Sequence, residues 1–222
     1  MLTIIPNIKL LTVLNILRII LLLLPIVTLS ACNKSEARRI KITLPKVDSI
    51  VSKLQELRMA KNIDEVYHYI LTEKKYNEEI GFFVNMKMPS GKNRFFIYSF
   101  NEKKMLDQGL VAHGSGSETG KKDSLKFSNE LGSLCTSLGK YSIGYSYIGQ
   151  YGKAYKLYGL DSTNSRAFAR SVVLHYYDKV PHDEQNIPIC NSFGCPMVNK
   201  SFFHRIEKYL DTSEKNIILS IF

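Results

Sequence analysis

The chain has 222 residues and a formal net charge of +10, because 30 Lys and Arg outnumber 20 Asp and Glu. A hydrophobic content of 45% excludes a disordered tail or a collagen, and four cysteines are too few for a disulfide-dense miniprotein. The length predicts one modest domain plus a targeting segment, and an aromatic content of 11% without any Trp favours a β-rich fold.

Residues 1–31 have the pattern of a signal peptide. Two basic residues and no acidic ones accompany a long apolar run, which ends in the sequence LSAC at Cys32. This ending resembles the bacterial lipobox. We therefore expect cleavage before Cys32 and diacylation of that residue, with residues 32–46 as a lipidated tether between membrane and domain.

An uncleaved membrane anchor is the alternative, because residues 8–31 are about long enough to cross a bilayer. Lys9, Arg18 and Pro25 interrupt that stretch, and a plain anchor needs no cysteine at its end, so the lipoprotein is favoured. In both cases the domain is exported and lies on a membrane surface, facing the periplasm or cell wall. Export argues against nucleic acid as a partner, and no basic run is interleaved with aromatic residues.

Two helices are predicted before the first strand, in a helical segment over residues 47–79. An apolar stripe at i, i+3, i+4 and i+7 predicts a helix over residues 46–60. A second helix is predicted over residues 63–71, with Asn62 or Asp64 as its cap. We expect the pair to pack on the outside of the domain.

From Ile80 onward the apolar pattern changes to the alternation of β-strands. The predicted strands cover residues 80–88, 94–100, 104–114, 140–148, 154–160 and 171–177. Six or more short strands separated by turn residues predict a mainly β domain with flanking helices, an α+β class built as a β-sandwich or barrel-like mixed sheet. A closing helix over residues 199–209 and a last strand over residues 216–222 complete the predicted elements.

Cys195 lies in a context suited to a nucleophile, in the sequence SFGCP at residues 192–196. Gly194 lets the backbone turn sharply, and Pro196 is placed to start the following helix. A thiol at a helix N-terminus has a lowered pKa, and free amides there stabilise an oxyanion. The expected base is His175, at the end of an apolar strand twenty residues earlier. Alone this pairing is a weak signal, because such spacings occur by chance.

Four sequence motifs, taken in their order along the chain, indicate a resemblance to a known family. They are LVAHGSGS at residues 110–117, KFSN at 126–129, SLGKY at 137–141 and SFGCP at 192–196. From about residue 94 to residue 222 the chain resembles the murein L,D-transpeptidase catalytic-domain subfamily, which has the YkuD-like fold. The resemblance implies an L,D-transpeptidase-like catalytic domain over residues 80–222.

The resemblance implies a cysteine acyltransferase that acts on peptidoglycan stem tetrapeptides without a cofactor or metal. Cys195 attacks the carbonyl of the L-centre of the diamino acid and expels the terminal D-alanine, and an amine of a neighbouring stem resolves the thioester. His175 transfers the proton, the backbone carbonyl of Tyr176 holds His175, and amides around Gly194 and Cys195 form the oxyanion hole. With water as acceptor, the same fold is an L,D-carboxypeptidase.

Three positions depart from the family pattern. The family's His-Gly is His175-Tyr176 here, its Ser-His-Gly-Cys carries Phe193, and the usual Arg after the motif is missing. Tyr176 acts through its backbone and Phe193 has no titratable group, so the predicted dyad is retained. The missing Arg leaves open how a substrate carboxylate is held.

Three further side chains are candidates for substrate binding. His113 is expected either to face the cleft, with Ser115 as a hydroxyl partner, or to be a hydrogen-bonded structural histidine on a turn. Ser192 is expected either to orient the dyad or to form the turn.

Two cysteines outside the motif have alternative partners. Cys135 and Cys190 are candidates for a disulfide in an oxidising compartment, which leaves Cys195 free. Cys190 is also near enough in sequence to pair with Cys195 and silence it. No zinc site is expected, because Cys190 and Cys195 do not form a Cys-x-x-Cys pair.

Other exported cysteine enzymes fit less well. A sortase-type transpeptidase needs a Thr-Leu-x-Thr-Cys strand, and a papain-like endopeptidase places Cys before His. The rival from another class is a lipoprotein that binds cell-wall polymer through a catalytically inactive version of this fold. A lowered pKa of Cys195 is expected to distinguish the enzyme from that binding protein.

Overall fold

The computed structural model describes residues 47–121 and 124–222. The predicted signal peptide, the lipidated Cys32 and the tether up to residue 46 lie outside the described residues. The described part is mainly β, with nine strands in one sheet and two α-helices. Neither helix in this part is long and apolar enough to cross a membrane.

A single helix, α1 (Val47–Glu73), stands where two helices were predicted. The expected break at Asn62 does not occur, because this stretch contains neither Gly nor Pro. The Asn62 side chain instead donates a hydrogen bond to the carbonyl of Arg58, one turn earlier, at 2.9 Å. The prediction of a separate second helix is therefore wrong.

Only the C-terminal half of α1 packs on the sheet. Val66 and Ile70 are buried in a cluster with Phe83 and Ile218. The apolar side chains nearer the N-terminus, such as Leu54, are about half exposed. The apolar stripe over residues 46–60 thus correctly predicted a helix, but the side chains of this stripe do not face the core.

The two halves of α1 should differ sharply in their contribution to stability. Ile70→Ala is expected to lower the free energy of unfolding by about 2–5 kcal/mol, because it deletes a fully buried side chain. Leu54→Ala, the control on the same helix, is expected to change it by less than about 0.5 kcal/mol. Urea denaturation measures both values, and equal losses would contradict the packing described.

Nine strands form one mixed sheet. Their bounds are β1 (Tyr76–Val84), β2 (Phe95–Ser99), β3 (Lys104–Gly109), β4 (Val111–Ala112), β5 (Gly139–Gly149), β6 (Gly152–Gly159), β7 (Val173–Tyr176), β8 (Met197–Val198) and β9 (Asn216–Ile221). The order across the sheet is β3-β2-β1-β9-β5-β6-β7-β8-β4. The β1–β9 and β7–β8 pairs are parallel, and all other neighbouring pairs are antiparallel.

The sheet is not a closed barrel, although its two edge strands are neighbours in the chain. The single strand predicted over residues 104–114 is divided at Leu110 into β3 and β4, which lie at opposite edges. Since only Leu110 joins them, the sheet must curl until its edges approach each other. No β-ladder joins β3 to β4 among the described residues, so the barrel form of the prediction is not confirmed.

The main core lies between the sheet and helix α2 (Lys200–Thr212). Phe202 and Phe203 of α2 are fully buried, and the Phe202 ring meets the Phe95 ring edge-to-face at 5.3 Å between centroids. The helix begins at Lys200, because the side chain of Asn199 accepts the Phe202 N–H at 2.8 Å as an N-cap. The closing helix and the last strand are thus where the pattern predicted them.

Strand β7 positions the candidate site. It lies between β6 and β8, so that His175 pairs with Ala154 on one side and with Met197 on the other. The chain that follows Cys195 therefore runs directly beside the strand that carries His175.

Candidate active site

The loop that carries Cys195 is a tight turn closed by its own serine. The Ser192 hydroxyl donates to the carbonyl of Cys195 at 2.6 Å and accepts the Gly194 N–H at 3.1 Å. Gly194 has a φ of +117°, a backbone conformation that residues other than glycine rarely adopt. Ser192 is buried, and its hydroxyl is used within the loop.

The residue after the cysteine does not start a helix, contrary to expectation. Pro196 leads into strand β8, and α2 begins only at Lys200. The reason is that Met197 and Val198 pair with β7 on one side and with β4 on the other, which keeps the backbone extended. Cys195 therefore does not lie at a helix N-terminus, and no helix dipole lowers its pKa.

The sulfur of Cys195 contacts the backbone just before and within β7. Sγ accepts the Val173 N–H at 3.4 Å and lies 3.8 Å from the carbonyl oxygen of Ser171. Burial raises the pKa of the Cys195 thiol, and this effect outweighs the Val173 hydrogen bond and the charges of Arg170 and Lys156, which lower it. The lowered pKa expected for Cys195 is therefore wrong, and the thiol is neutral at neutral pH. The pKa of the resting thiol then does not distinguish an enzyme, in which a base removes the thiol proton during attack, from an inactive binding protein.

This protonation state predicts the pH dependence of alkylation. Cys195 is expected to react with iodoacetamide with a half-maximal pH above that of free cysteine, about 8.5. Peptide mass mapping across a pH series measures the reaction at Cys195 separately from the other thiols, with N-acetylcysteine as the reference. Half-maximal alkylation well below pH 8 would contradict the neutral thiol.

His175 is held as a neutral base in one tautomer. Its Nδ1 lies 3.0 Å from the carbonyl oxygen of Tyr176. Because a carbonyl only accepts hydrogen bonds, Nδ1 carries the proton and Nε2 carries the free lone pair. Burial lowers the pKa of His175, and the bond to Tyr176 opposes that shift. The exposed Tyr151 ring stacks on the imidazole at 5.7 Å between centroids.

The segments that carry the two candidate groups are joined by hydrogen bonds of β7. Val173, which donates to the Cys195 sulfur, is two residues from His175 on this strand, and the His175 N–H points to the carbonyl of Pro196 at 3.5 Å. Among the described residues, no hydrogen bond joins the His175 ring to the sulfur. Hydrogen bonds of this kind often tighten only when substrate is bound.

Of the two backbone amides predicted to form the oxyanion hole, one has no partner among the described residues. Gly194 N–H is occupied by the Ser192 hydroxyl. The Cys195 N–H donates to no group in the part of the chain that the structure describes. Of the two amides predicted from sequence, Cys195 N–H is therefore the available donor.

His113 is fully engaged in a buried chain of polar groups. Nδ1 lies 2.8 Å from Nη2 of Arg94, which can only donate, and Nε2 lies 2.7 Å from a carboxylate oxygen of Glu118, which can only accept. His113 therefore has the tautomer opposite to that of His175. Burial, with a smaller effect from Arg94, lowers the pKa of His113. Its partners are thus Arg94 and Glu118, and not the Ser115 hydroxyl.

The backbone of Ser115 joins the segment at residues 110–117 to the cysteine loop. Its N–H donates to the carbonyl of Ser192 at 2.8 Å, at the start of a 3-10 turn that covers Ser115–Ser117. Its hydroxyl is half-buried and has no hydrogen-bond partner in the described ranges. Of the three side chains predicted to bind substrate, Ser115 alone keeps a polar group without a partner there.

Arg170 is a cation beside Gly194 of the cysteine loop, and it was not predicted from the sequence. Its guanidinium donates to the carbonyls of Ser128 and Cys135 and to the hydroxyl of Ser137, and its charge lowers the pKa of Cys195. These partners lie 33 to 42 residues away in the chain, so no local pattern indicates them. The positive charge that lowers the pKa of Cys195 therefore comes from Arg170, which precedes β7. It does not come from an Arg directly after Cys195, where the family usually has one.

The structure contains neither of the two alternative disulfides considered for Cys190. Cys135, Cys190 and Cys195 are all free thiols. Cys190 packs at the edge of a small apolar cluster that includes Leu110 and Val180, whereas the Cys135 backbone lies against Gly194. The described residues also contain no group of three or more His, Cys, Asp and Glu side chains that could hold a metal ion.

Comparison with known proteins gives one family and several distant structures. The structures include the Ldtfm-avibactam carbamoyl enzyme (12% identity, TM-score 0.40, 66% of this chain and 49% of that chain). Others are an L,D-transpeptidase from Xylanimonas cellulosilytica (11%, 0.36, 65% and 60%) and the helical cell shape determining protein Pgp2 from Campylobacter jejuni (14%, 0.40, 64% and 47%). The chain thus spans only about half to three fifths of these structures.

A search of curated proteins found no match. The L,D-transpeptidase catalytic domain family, by contrast, matches residues 52–219, about three quarters of the chain. The matched range includes most of α1, all nine strands except the last residues of β9, and both motifs around His175 and Cys195. The chain belongs to the L,D-transpeptidase catalytic domain family.

Proposed function

We propose that the protein is a peptidoglycan L,D-transpeptidase that works through a thioester on Cys195. The observation that carries the proposal is the fixed tautomer of His175, whose Nδ1–H bonds to the Tyr176 carbonyl and leaves Nε2 as the available base, on the strand that also contacts the Cys195 sulfur. In the first step the Cys195 sulfur bonds to the carbonyl carbon of the diamino acid's L-centre. The bond to the terminal D-alanine breaks, and an amine of a second stem then displaces the sulfur.

Proton transfer in this proposal starts from two neutral groups. His175 Nε2 takes the thiol proton as the sulfur attacks, and the imidazolium returns it to the leaving amine of D-alanine. The Tyr176 carbonyl stabilises the transient imidazolium through Nδ1–H. The Cys195 N–H is the proposed donor to the oxyanion, while Gly194 keeps the loop in shape through Ser192.

The proposed substrate cleft has aromatic walls. Phe193 is 76% exposed next to the nucleophile, and Tyr151 is 49% exposed on the face of His175. Large exposed aromatic side chains at a site are typical of surfaces that bind ligands. We propose that they contact the stem peptide and that the Ser115 hydroxyl supplies a polar contact.

The acceptor decides between two activities of the same site. Full-length protein incubated with tetrapeptide muropeptides is expected to release D-alanine and form a cross-linked dimer, detected by mass spectrometry. Release of D-alanine with only tripeptide monomer, even with excess amine acceptor present, would favour the L,D-carboxypeptidase. Binding to intact peptidoglycan without either product would favour the catalytically inactive cell-wall-binding lipoprotein.

We further propose that Cys32 anchors the protein by lipid outside the cytoplasm, on the evidence of the LSAC sequence after the apolar run. The wild-type chain grown with labelled palmitate is expected to carry label and to fractionate with membranes. Cys32→Ser should lose the label. Label that persists in Cys32→Ser would contradict lipidation at this cysteine.

A further inference from the structure

A second cavity lies apart from the cysteine loop. It has a volume of about 540 Å³, within the range of small-molecule sites, and neither Cys195 nor His175 lines it. Its apolar wall includes Met86, Met88 and Ile187, and the buried Arg94 is also part of its lining. An apolar cavity of this size with one buried charged group is the usual form of a specific ligand site.

Arg94 is a buried cation that no anion touches directly. It is 1% exposed, and its guanidinium donates to the carbonyls of Val111 and Met88 and to Nδ1 of His113. Every one of these acceptors is neutral, and Glu118 lies beyond the imidazole. Buried charges in proteins are normally paired, because an unpaired one is costly to remove from water.

The guanidinium retains one donor. Of the five N–H groups of Arg94, four have partners, which leaves one on Nη1. Burial lowers the pKa of Arg94 to about 10, the shift expected of a cation that lacks a direct counter-ion. An anion that enters the cavity would supply that counter-ion.

The rim of the cavity is also cationic. Lys87 and Lys121 line it and form no ion pair with any described residue, whereas Lys92 pairs with Glu184 at 3.5 Å. Glu118 is the one acidic side chain among the described lining residues, and it already accepts a hydrogen bond from His113. The lining therefore has an excess of positive charge around apolar walls.

We propose that this cavity is a binding site for a carboxylate carried by a short peptide, with Arg94 as the buried counter-ion, Lys87 and Lys121 at the rim, and Met86 and Met88 against the peptide's apolar part. A single free guanidinium donor and apolar walls suit one carboxylate better than a phosphate, which has more oxygens to satisfy. The inference does not depend on the acyl transfer proposed for Cys195.

The site is connected to the cysteine loop without being part of it. His113 points to Arg94, while a side chain on the next residue, Gly114, would meet the backbone of Gly194 at 2.9 Å. The two sites therefore lie on opposite sides of this segment. The carbonyl of His113 also accepts the Ser192 N–H at 2.8 Å. A ligand that moves His113 would therefore also displace Ser192 in the cysteine loop.

The methionines supply reporters for the test. Met86 and Met88 line the cavity, Met197 pairs with His175 and reports the cysteine cleft, and Met59 and Met105 lie on α1 and β3. Full-length protein labelled with methyl-¹³C methionine is titrated with N-acetyl-alanyl-alanine. The peptide's C-terminal amide and inorganic phosphate are titrated in parallel.

We expect the free-carboxylate peptide to shift the Met86 and Met88 methyl signals, and the amide to leave them in place. Lys87→Gln combined with Lys121→Gln should weaken binding by about tenfold, the size expected for losing two exposed charges. Arg94→Lys, which keeps a cation in the cavity, tests the buried counter-ion and should weaken binding more than the double variant.

Three outcomes would overturn the proposal. Shifts confined to Met197 would place the peptide in the cysteine cleft instead. Equal shifts from the peptide and its amide would exclude carboxylate recognition, and equal shifts from inorganic phosphate would exclude selectivity for a carboxylate. Loss of turnover at Cys195 moves none of these signals, so failure of the proposed function and failure of this site are distinguishable.

Discussion

Cys195→Ala and His175→Ala are each expected to lower turnover of a stem tetrapeptide by about a thousandfold or more. Cys195→Ala removes the atom that forms the thioester, and His175→Ala removes the base that a neutral thiol needs. Release of D-alanine, measured against substrate concentration, gives kcat and KM for each variant. The loss should appear in kcat, because neither side chain is proposed to hold the substrate in its ground state.

Matched variants separate chemistry from folding. Cys190→Ala removes a neighbouring thiol that packs at the edge of an apolar cluster, and His204→Ala removes an exposed imidazole on α2. Both are expected to keep activity within about threefold of the parent, as ordinary substitutions away from a reaction centre do. Cys195→Ala or His175→Ala with parental turnover, or Cys190→Ala with none, would contradict the assigned roles.

Gly114→Ala is expected to disable the site and to destabilise the fold. A Cβ at Gly114 would lie 2.1 Å from the carbonyl oxygen of Leu134 and 2.9 Å from the backbone of Gly194. Both neighbours are backbone atoms, so the cysteine loop and the Leu134 segment must move apart. We expect the free energy of unfolding to fall by about 3 kcal/mol. The fraction of activity lost should exceed the fraction of protein that is unfolded, because the folded variant also has a displaced cysteine loop.

Gly149→Ala is the control for that prediction. The three atoms nearest to its added Cβ all belong to the Tyr147 side chain, the first at 3.1 Å, and that side chain can rotate away. Its effect should stay below about 1 kcal/mol. Urea denaturation and D-alanine release on both variants test the difference, and a Gly114→Ala protein with parental stability and turnover would show that the close approach is not required.

The sequence predicted elements better than it predicted their connections. Periodicity located α2 and the strands around residues 80, 140, 154 and 171, because side-chain alternation and capping are local. It divided α1 at Asn62, where a favourable cap competes with an uninterrupted helical run. Periodicity also predicted β3 and β4 as one strand. Nothing in the local sequence indicates that the chain passes from one edge of the sheet to the other at Leu110.

In the candidate site, too, the residues with local sequence signals were predicted, and those whose partners are distant in the chain were not. His175 and Cys195 are indicated by their own motifs, and the bond from His175 to the Tyr176 carbonyl is a neighbour contact. Arg170 and Arg94 are not indicated, because their partners come from distant segments. The predicted helix N-terminus at Pro196 failed because β-pairing of the next two residues outweighs the local preference of proline.

Trapping of the acyl-enzyme tests the central claim most directly. Full-length protein mixed with a stem tetrapeptide and quenched in acid is expected to yield a peptide in which Cys195 carries the acyl group of the tripeptide, with one D-alanine released for each adduct. The adduct should be absent from Cys190 and Cys135 in the same digest. D-alanine release without any adduct on Cys195, or an adduct on another residue, would contradict the account.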